Sequence, residues 1–359
     1  MNLNICCPIN TLSYGYVSSF FIKELIKLEY DIRVVMIGKT SPDGDLAEFV
    51  NDVLSRQDFF YDAPCLKIWH QHDLHTYVGK RESIGFPIFE LEDFKPVEKH
   101  SCGYPDYLFT CSSWGKNVLI NNGLKEENIH VVPLGFNDEL FKPCQLPSDN
   151  KTIFGNFGKF EIRKGHDVLV EAFNKAFEKD DDVELMMMPH NPFLNESSLR
   201  DWVLLYKNSK LGNKISFVDR VSKQSDVYDV MKRIHCGVFP ARAEGWNLEA
   251  LELLACGKHL IITNCAGHTE FCNKENSRLI EMESGYETAF DGVFFDGAGR
   301  WSAFEENEMD QLVHHMREVH KERAEGRLTL NQSGVDMSSE FTWGSVTKVL
   351  DQKLKLVTS

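Results

Sequence analysis

The sequence predicts an α/β protein made of two doubly wound domains, each with a parallel sheet. Three observations carry this expectation. Short apolar runs alternate with segments of helical spacing along most of the chain. The alternation occurs twice, on either side of an irregular stretch at residues 144–150 (CQLPSDN), which reads as a linker. The first unit is strand, turn, helix, strand, an order that calls for parallel strands joined by right-handed crossovers.

In the first half, Leu3 to Cys7 is a short apolar strand. Asn10 to Gly15 is a turn of small and polar residues without a full GxGxxG, so no dinucleotide fingerprint is present. Val17, Phe20, Phe21, Leu25 and Ile26 form one stripe of a helix over 16–28, and DIRVVMI at 31–37 is a second strand. CLKIW at 65–69 is a third, followed by a loop with His70, His72 and His75. YLFTC at 107–111 leads to a helix capped by Ser112-Ser113 and stopped by Asn122-Gly123. IHVVP at 129–133 closes the series.

The second half begins with a strand over 152–157. A basic turn and a helix over 167–177 follow. VELMMM at 183–188 is a strand whose methionines belong to a core. Helices at 198–207 and 227–234 flank a strand at 215–218, and LIIT at 260–263 is the next. A charged helix over 306–325 and a last helix after Trp343 end the chain. The expected domains are 1–146, an N-terminal Rossmann-like domain on the acceptor side, and 147–335, a C-terminal Rossmann-like domain for a nucleotide-sugar. Residues 336–359 are a C-terminal helix expected to pack back on the first domain.

The net charge of −15 argues against a broad basic nucleic-acid surface. No apolar run reaches the ~18–20 residues of a transmembrane helix, and MNLNICCPIN reads as a first strand, not a signal peptide. The ten cysteines are scattered without a CxxC pair, which fits reduced thiols in a cytoplasmic protein.

Two stretches carry the chemistry. VFPARAEGWNLEALELLACG at 238–257 reads as strand, turn and buried helix, with Asn247 as N-cap and Gly257 as stop. Its helix is apolar all round yet carries Glu249 and Glu252, with Glu244 just before it. Buried carboxylates need partners. They either accept hydrogen bonds from a polyhydroxyl ligand whose anionic part sits at the helix N-terminus, or they form ordinary salt bridges to Arg242 or Lys258. The second stretch, Gly158 to Gly165 (GKFEIRKG), places cations between a strand and a helix N-terminus. That arrangement suits a diphosphate, although a basic turn of this kind is also a common solvated feature. Together the two stretches would bracket a nucleotide-sugar. In the first domain, His72 beside Asp73 is the candidate imidazole. The histidine spacings of two and three fit no common closed metal site, so no metal is expected.

These motifs resemble the retaining glycosyltransferases of family 4. In the family's order they are GKFEIRKG at 158–165, FVDRV at 217–221, the E-x7-E pair Glu244 and Glu252, and NCAGHTEF at 264–271. VVPLGFNDELFKP at 131–143 resembles the family's lead into its linker. The resemblance implies the GT-B fold, with two Rossmann-like domains facing across a cleft. It implies Lys159 and Lys164 on the donor diphosphate, although Lys159 stands where arginine is usual. Glu244 would meet donor-sugar hydroxyls and Glu252 the ribose. The backbone of Gly245, Trp246, Asn247 and Leu248 would line the sugar and phosphate pocket, and His72 would lie near the anomeric carbon. Glu244, His72 and Lys164 are the catalytic candidates.

The implied reaction is a same-face transfer from a nucleotide-diphosphate-sugar to a hydroxyl acceptor, without cofactor or divalent metal. The leaving diphosphate would be stabilised by lysines and helix dipole, and domain closure would exclude water. The acceptor is left open among a glycan, a lipid-linked sugar, a small molecule and modified DNA. Two alternatives are a nucleotide-sugar-binding protein without turnover and a sugar transferase acting on modified DNA bases. The expected location is cytoplasmic, with peripheral membrane association an option.

Overall fold

The structure, a computed structural model, describes every residue of the chain except those at positions 43, 57, 222 and 359. The chain divides into two compact units. One comprises Met1–Asp138, Ser222–Ser225 and Glu340–Ser359, and the other Glu139–Val221 and Asp226–Ser339.

The first unit runs β1 (Asn2–Cys7), α1 (Ser13–Lys27), β2 (Asp31–Met36), α2 (Ala47–Leu54), β3 (Cys65–Ile68), β4 (Ser83–Phe86), α3 (Pro96–Cys102), β5 (Tyr107–Thr110), α4 (Ser113–Asn121) and β6 (Ile129–Val131). These six strands make one parallel sheet in the order β2-β1-β3-β4-β5-β6. Ile5 pairs with Val34 on one side and Leu66 on the other. A strand flanked on both edges and covered on both faces is mostly apolar, and β1 is buried from Leu3 to Cys7, with its one polar side chain there, Asn4, hydrogen-bonded to the Phe60 backbone. Ser112 caps α4 by accepting from the Gly115 N–H. The C-terminal helix, Trp343–Val357, lies on α1. Trp343 stacks on Phe20 with centroids 5.4 Å apart and meets Phe21 edge-on at 5.2 Å.

The second unit contains β7 (Thr152–Asn156), α5 (His166–Ala176), β8 (Val183–Met187), α6 (Glu196–Lys207), β9 (Ile215–Phe217), most of α7 (Gln224–Met231), β10 (Cys236–Phe239), α8 (Leu248–Ala255), β11 (His259–Thr263), β12 (Arg278–Ile280), β13 (Tyr286–Phe290), β14 (Asp296–Ser302), α9 (Glu306–Ala324) and α10 (Gln332–Ser338). Its parallel sheet has the order β12-β11-β10-β7-β8-β9. Phe154, Leu185 and Met187 of the sheet pack with Leu169 and Phe173 of α5 and Leu312 and Met316 of α9. The methionines of β8 are core, as their pattern predicts.

The second unit also carries an antiparallel hairpin, β13–β14, outside the main sheet. Trp301 anchors it: the ring is buried and its Nε1–H donates to Glu287 at 2.9 Å. Tyr286, Phe290, Val293 and Phe294 remain exposed on it. Neither this hairpin nor α2, β4, α3 and α10 is predicted by the periodicity. β4 (SIGF) has four residues, one of them glycine, which is too short to show an alternation.

Candidate active site

Each sheet reverses its direction of growth once. In the first sheet the reversal falls between β1 and β3, and in the second between β7 and β10. Open parallel sheets hold ligands outside the carboxyl ends of strands at such a switch point. In the second unit, the segments leaving those ends are residues 157–165 after β7 and 240–247 after β10. They are the two stretches that carry the charged motifs.

The turn after β7 folds tightly because of its glycine. Gly165 caps α5 at φ +74°, and a Cβ there would lie 2.0 Å from the Pro240 carbonyl oxygen. Only glycine satisfies both demands. The close approach brings Lys164 and Arg163 against the second segment. Lys164 Nζ donates to Glu244 Oε1 at 2.6 Å, and Arg163 Nη1 lies 3.1 Å from Glu244 Oε2. Arg163 also donates to Glu161 through Nε and Nη2, at 3.1 and 2.8 Å, and to the Ala243 carbonyl at 2.6 Å. Glu161, Arg163 and Glu244 are all buried.

Charge in such a place depends on its neighbours. Burial pushes the Glu244 carboxyl up, but Lys164 and Arg163 outweigh it and leave the group at about 2. Burial likewise works against the Lys164 ammonium, yet attraction to Glu244 and then Glu249 raises it above its usual range. Glu161 is held below the usual carboxylate range: burial opposes ionisation, and Arg163, Lys159 and Lys164 overcome it. The cluster is therefore a set of fixed charges at neutral pH. One of the three ammonium N–H bonds of Lys164 is directed at Glu244, and an ammonium donates three.

Lys159 sits at the outer edge of the turn. Its Nζ is 3.1 Å from Glu161 and 5.1 Å from the ring centre of Phe193. Gly245, Trp246 and Asn247 are buried, Leu248 is half-buried, and Trp246 packs on Phe271 with centroids 5.0 Å apart. Asn247 Oδ1 caps α8 by accepting from the Ala250 N–H at 3.1 Å. Its backbone has φ +79°, a strained region for a residue with a Cβ. Glu252 lies buried within α8.

Arg242 and Lys258 do not serve Glu244, contrary to the salt-bridge alternative. The Arg242 guanidinium is bidentate to Asp167 at 2.9 and 2.9 Å and donates to Glu287 at 2.9 Å. It thereby ties the start of α5 to the hairpin. The Lys258 ammonium donates to the Gln145 and Lys232 carbonyls. Glu244 is held instead by Lys164 and Arg163 of the basic turn.

His72 belongs to the other unit. It lies on the loop after β3, at the switch point of the first sheet, where its exposed ring stacks on His70 with centroids 5.4 Å apart. Asp73 is committed elsewhere, to Lys67 at 3.2 Å and His75 at 3.4 Å. Among the described residues no group of three or more His, Cys, Asp or Glu is placed to hold a metal ion. All ten cysteines are free thiols.

Two residues of the site escape sequence reasoning. Arg163 reads as one of several cations in the turn, but it is the buried brace of Glu161, Glu244 and the Ala243 carbonyl. His268 reads as part of a loop, yet Gly267 N–H donates to the Glu244 carbonyl at 2.8 Å and brings that loop onto the site. A Cβ on Gly267 would lie 1.9 Å from the Gly245 carbonyl oxygen. The sequence signal is the glycine within NCAGHTEF at 264–271, which does not show that the histidine after it is buried.

Residues 151–290 match the family model described as "Glycosyl transferases group 1". That range contains the whole cluster from Lys159 to His268. The chain is 25% identical over 229 residues to mannosylfructose-phosphate synthase of Agrobacterium fabrum, covering 56% of this chain and 49% of that protein. It is 25% identical over 248 residues to an uncharacterised glycosyltransferase of Methanocaldococcus jannaschii, covering 68% and 58%. The matches thus span about half or a little more of these relatives. Among solved structures, Anabaena HepE in complex with UDP and glucose superposes with a TM-score of 0.71 at 15% identity, covering 99% of this chain and 100% of that one. Sucrose-phosphate synthase of Thermosynechococcus elongatus gives 0.72 at 15%, covering 99% and 98%. The fold is GT-B, with a six-stranded parallel sheet in each of two α/β domains.

Proposed function

We propose that this protein is a retaining, metal-independent glycosyltransferase that moves a sugar from a nucleotide-diphosphate-sugar to a hydroxyl acceptor. The observation that carries the reading is the buried Lys164–Glu244 pair at the switch point of the second sheet, flanked by the starts of α5 and α8. A diphosphate needs fixed positive charge and N–H donors, which Lys164, Lys159 and the helix starts offer. A sugar needs acceptors for its hydroxyls, and a carboxylate oxygen can accept more than one hydrogen bond. Glu244 can therefore keep Lys164 and still take a sugar hydroxyl, while Glu252 takes the ribose. The group 1 family match over residues 151–290 and the UDP and UDP-glucose complexes of Anabaena HepE support this donor class.

In the proposed reaction the bond from the anomeric carbon to the diphosphate breaks first. Negative charge grows on the leaving oxygen, and Lys164 and Lys159 stabilise it in place, without reorganising at that moment. The acceptor hydroxyl attacks from the same face and passes its proton to a diphosphate oxygen. His72 is proposed to meet the sugar from the first unit. Among the described residues no helix is long and apolar enough to cross a membrane, and the free thiols suit the cytoplasm. The test is a thermal-shift screen of UDP-, GDP-, ADP- and CDP-hexoses with and without EDTA. NMR of the anomeric proton in the product follows. A shift indifferent to EDTA and retained configuration are expected. An inverted product, or a shift abolished by EDTA, would overturn the mechanism.

A further inference from the structure

We infer that His268 is a specificity residue that reads a hydroxyl of the bound donor sugar. This rests on the nucleotide-sugar reading above. His268 is fully buried, and its Nε2–H donates to the Thr263 carbonyl oxygen at 2.5 Å. That bond fixes the tautomer and leaves Nδ1 as a bare acceptor. Nδ1 is buried and has no hydrogen-bond partner.

The other two fully packed histidines of this unit behave differently. His166 bonds the Gly158 carbonyl through Nε2 and the Tyr206 hydroxyl through Nδ1. His235 meets the Ile153 N–H through Nδ1 and the Pro147 carbonyl through Nε2. A core histidine in this fold uses both nitrogens, whereas His268 keeps one unused beside the candidate site. The loop that carries it is pinned to Glu244 by the Gly267 N–H, and the imidazole lies within the fields of Glu244 and Lys164.

A second orphan stands on the facing segment. Capping α8 consumes Asn247 Oδ1, so the amide orientation is fixed and Nδ2 points elsewhere as a donor. That nitrogen too is buried without a partner. Buried polar atoms are normally satisfied, and two that are not, on adjacent segments, call for a ligand that supplies both kinds of group. A polyol does: one hydroxyl donates to His268 Nδ1 and an oxygen accepts from Asn247 Nδ2. Ala266 and Asn247 both hold positive φ, at +55° and +79°, so the backbone on each side is strained into place. A diphosphate alone would give Nδ1 no proton. The ribose hydroxyls belong to Glu252 in the proposed site, so the proton that meets His268 comes from the sugar part of the donor.

The test measures binding of UDP, GDP, ADP and CDP and of their hexose conjugates to the wild type and to His268→Leu by calorimetry. For the donor that binds, His268→Leu is expected to weaken the nucleotide-sugar by about tenfold, the scale of one well-made hydrogen bond, and to leave the nucleoside diphosphate unchanged. Equal loss for both ligands, or no loss for either, overturns the inference while the donor reading stands. A wild type that binds none of the eight overturns the donor reading and this inference together. Should His268→Leu fail to fold, ¹⁵N spectra of histidine-labelled wild type decide the matter. The unprotonated Nδ1 resonance of His268 is expected to move on adding the nucleotide-sugar and not on adding the nucleoside diphosphate. An unmoved resonance refutes the role.

Discussion

Lys164 Nζ and Glu244 Oε1 meet at 2.6 Å across eighty residues of sequence, and both side chains are almost wholly buried. The pair closes a strap between the carboxyl ends of β7 and β10. Two opposite charges buried together tolerate the low dielectric; either one left behind does not. Glu244→Gln or Lys164→Met alone is thus expected to cost about 3–5 kcal/mol. The double variant should cost clearly less than the sum, because neither charge is then orphaned. Arg163 limits the rescue, since it also leans on Glu244. Urea denaturation of all four proteins measures the coupling, and strict additivity would show that the pair does not act as a unit.

Both single variants are also expected to lose transfer, and this loss should persist in the double variant. Stability and activity thereby separate: the double variant regains fold without regaining donor binding. Calorimetric titration with the nucleotide-sugar identified by the screen checks it. Donor binding at the wild-type level in the double variant would remove both residues from the site.

Gly267 offers a backbone test. A methyl group there would lie 1.9 Å from the Gly245 carbonyl, so Gly267→Ala must push the 264–271 loop away from Glu244. Gly326 has φ +68° but no neighbour within 4 Å. Gly326→Ala should cost only about 1–2 kcal/mol, the penalty of the left-handed region, and leave donor affinity intact. Gly267→Ala should abolish that affinity. Similar donor affinities in the two variants would show that the loop contact is dispensable to the site.

The legible and illegible parts of this protein differ for physical reasons. The central strands were readable because parallel strands buried on both faces are mostly apolar, as β10 is throughout and β1 is apart from Asn4. The two ends of α8 were readable because Asn247 and Gly257 are local signals that need no tertiary context. The partners of Glu244 were not. Arg242 lies two residues away in sequence and Lys164 eighty, yet the distant lysine holds the carboxylate, while Arg242 turns to Asp167 and Glu287. Long-range pairing depends on strand order, and strand order is set by the β7–β10 reversal, which leaves no periodic trace. His268 stayed hidden for the same reason. Only the folded turn shows that one of its nitrogens has no partner. The β13–β14 hairpin was missed because its exposed aromatics and interleaved glycines mimic a loop.

Lys159 tests the outer edge of the proposed diphosphate site. Its ammonium is about one-third exposed, near Glu161 and over Phe193. An exposed cation acts through a screened field. Lys159→Ala is expected to weaken nucleoside diphosphate binding several-fold at low salt and to have less effect at 0.5 M salt. Lys159→Arg should bind at least as well as the wild type, since a guanidinium grips phosphate in two places. A salt-independent loss would mean that Lys159 acts through packing on Phe193 and not through charge.

Acid should unfold the second unit in two adjacent windows. Burial is the first cause in each case: it holds His166, His235 and His268 at about 4, against an ordinary value of 6.5. Between those values the unfolded chain protonates these histidines and the folded chain does not, and burial also lowers His259, His315 and His320, so stability is full above about pH 6.5 and declines as pH falls toward 4. The slope is about 1.4 kcal/mol per pH unit for each histidine. Glu244 adds the second window. Its folded value of about 2 lies below the ordinary 4.5, so its contribution is present above 4.5 and is lost as pH falls toward 2. Urea unfolding at pH 7.5, 6.5, 5.5 and 4.5 should show a decline beginning with the histidines. His268→Leu should reduce the slope of that first window by its own proton, about 1.4 kcal/mol per pH unit. An unchanged slope in that variant would mean that His268 already accepts a proton in the folded state, and its place as a neutral acceptor beside Glu244 would fall with it.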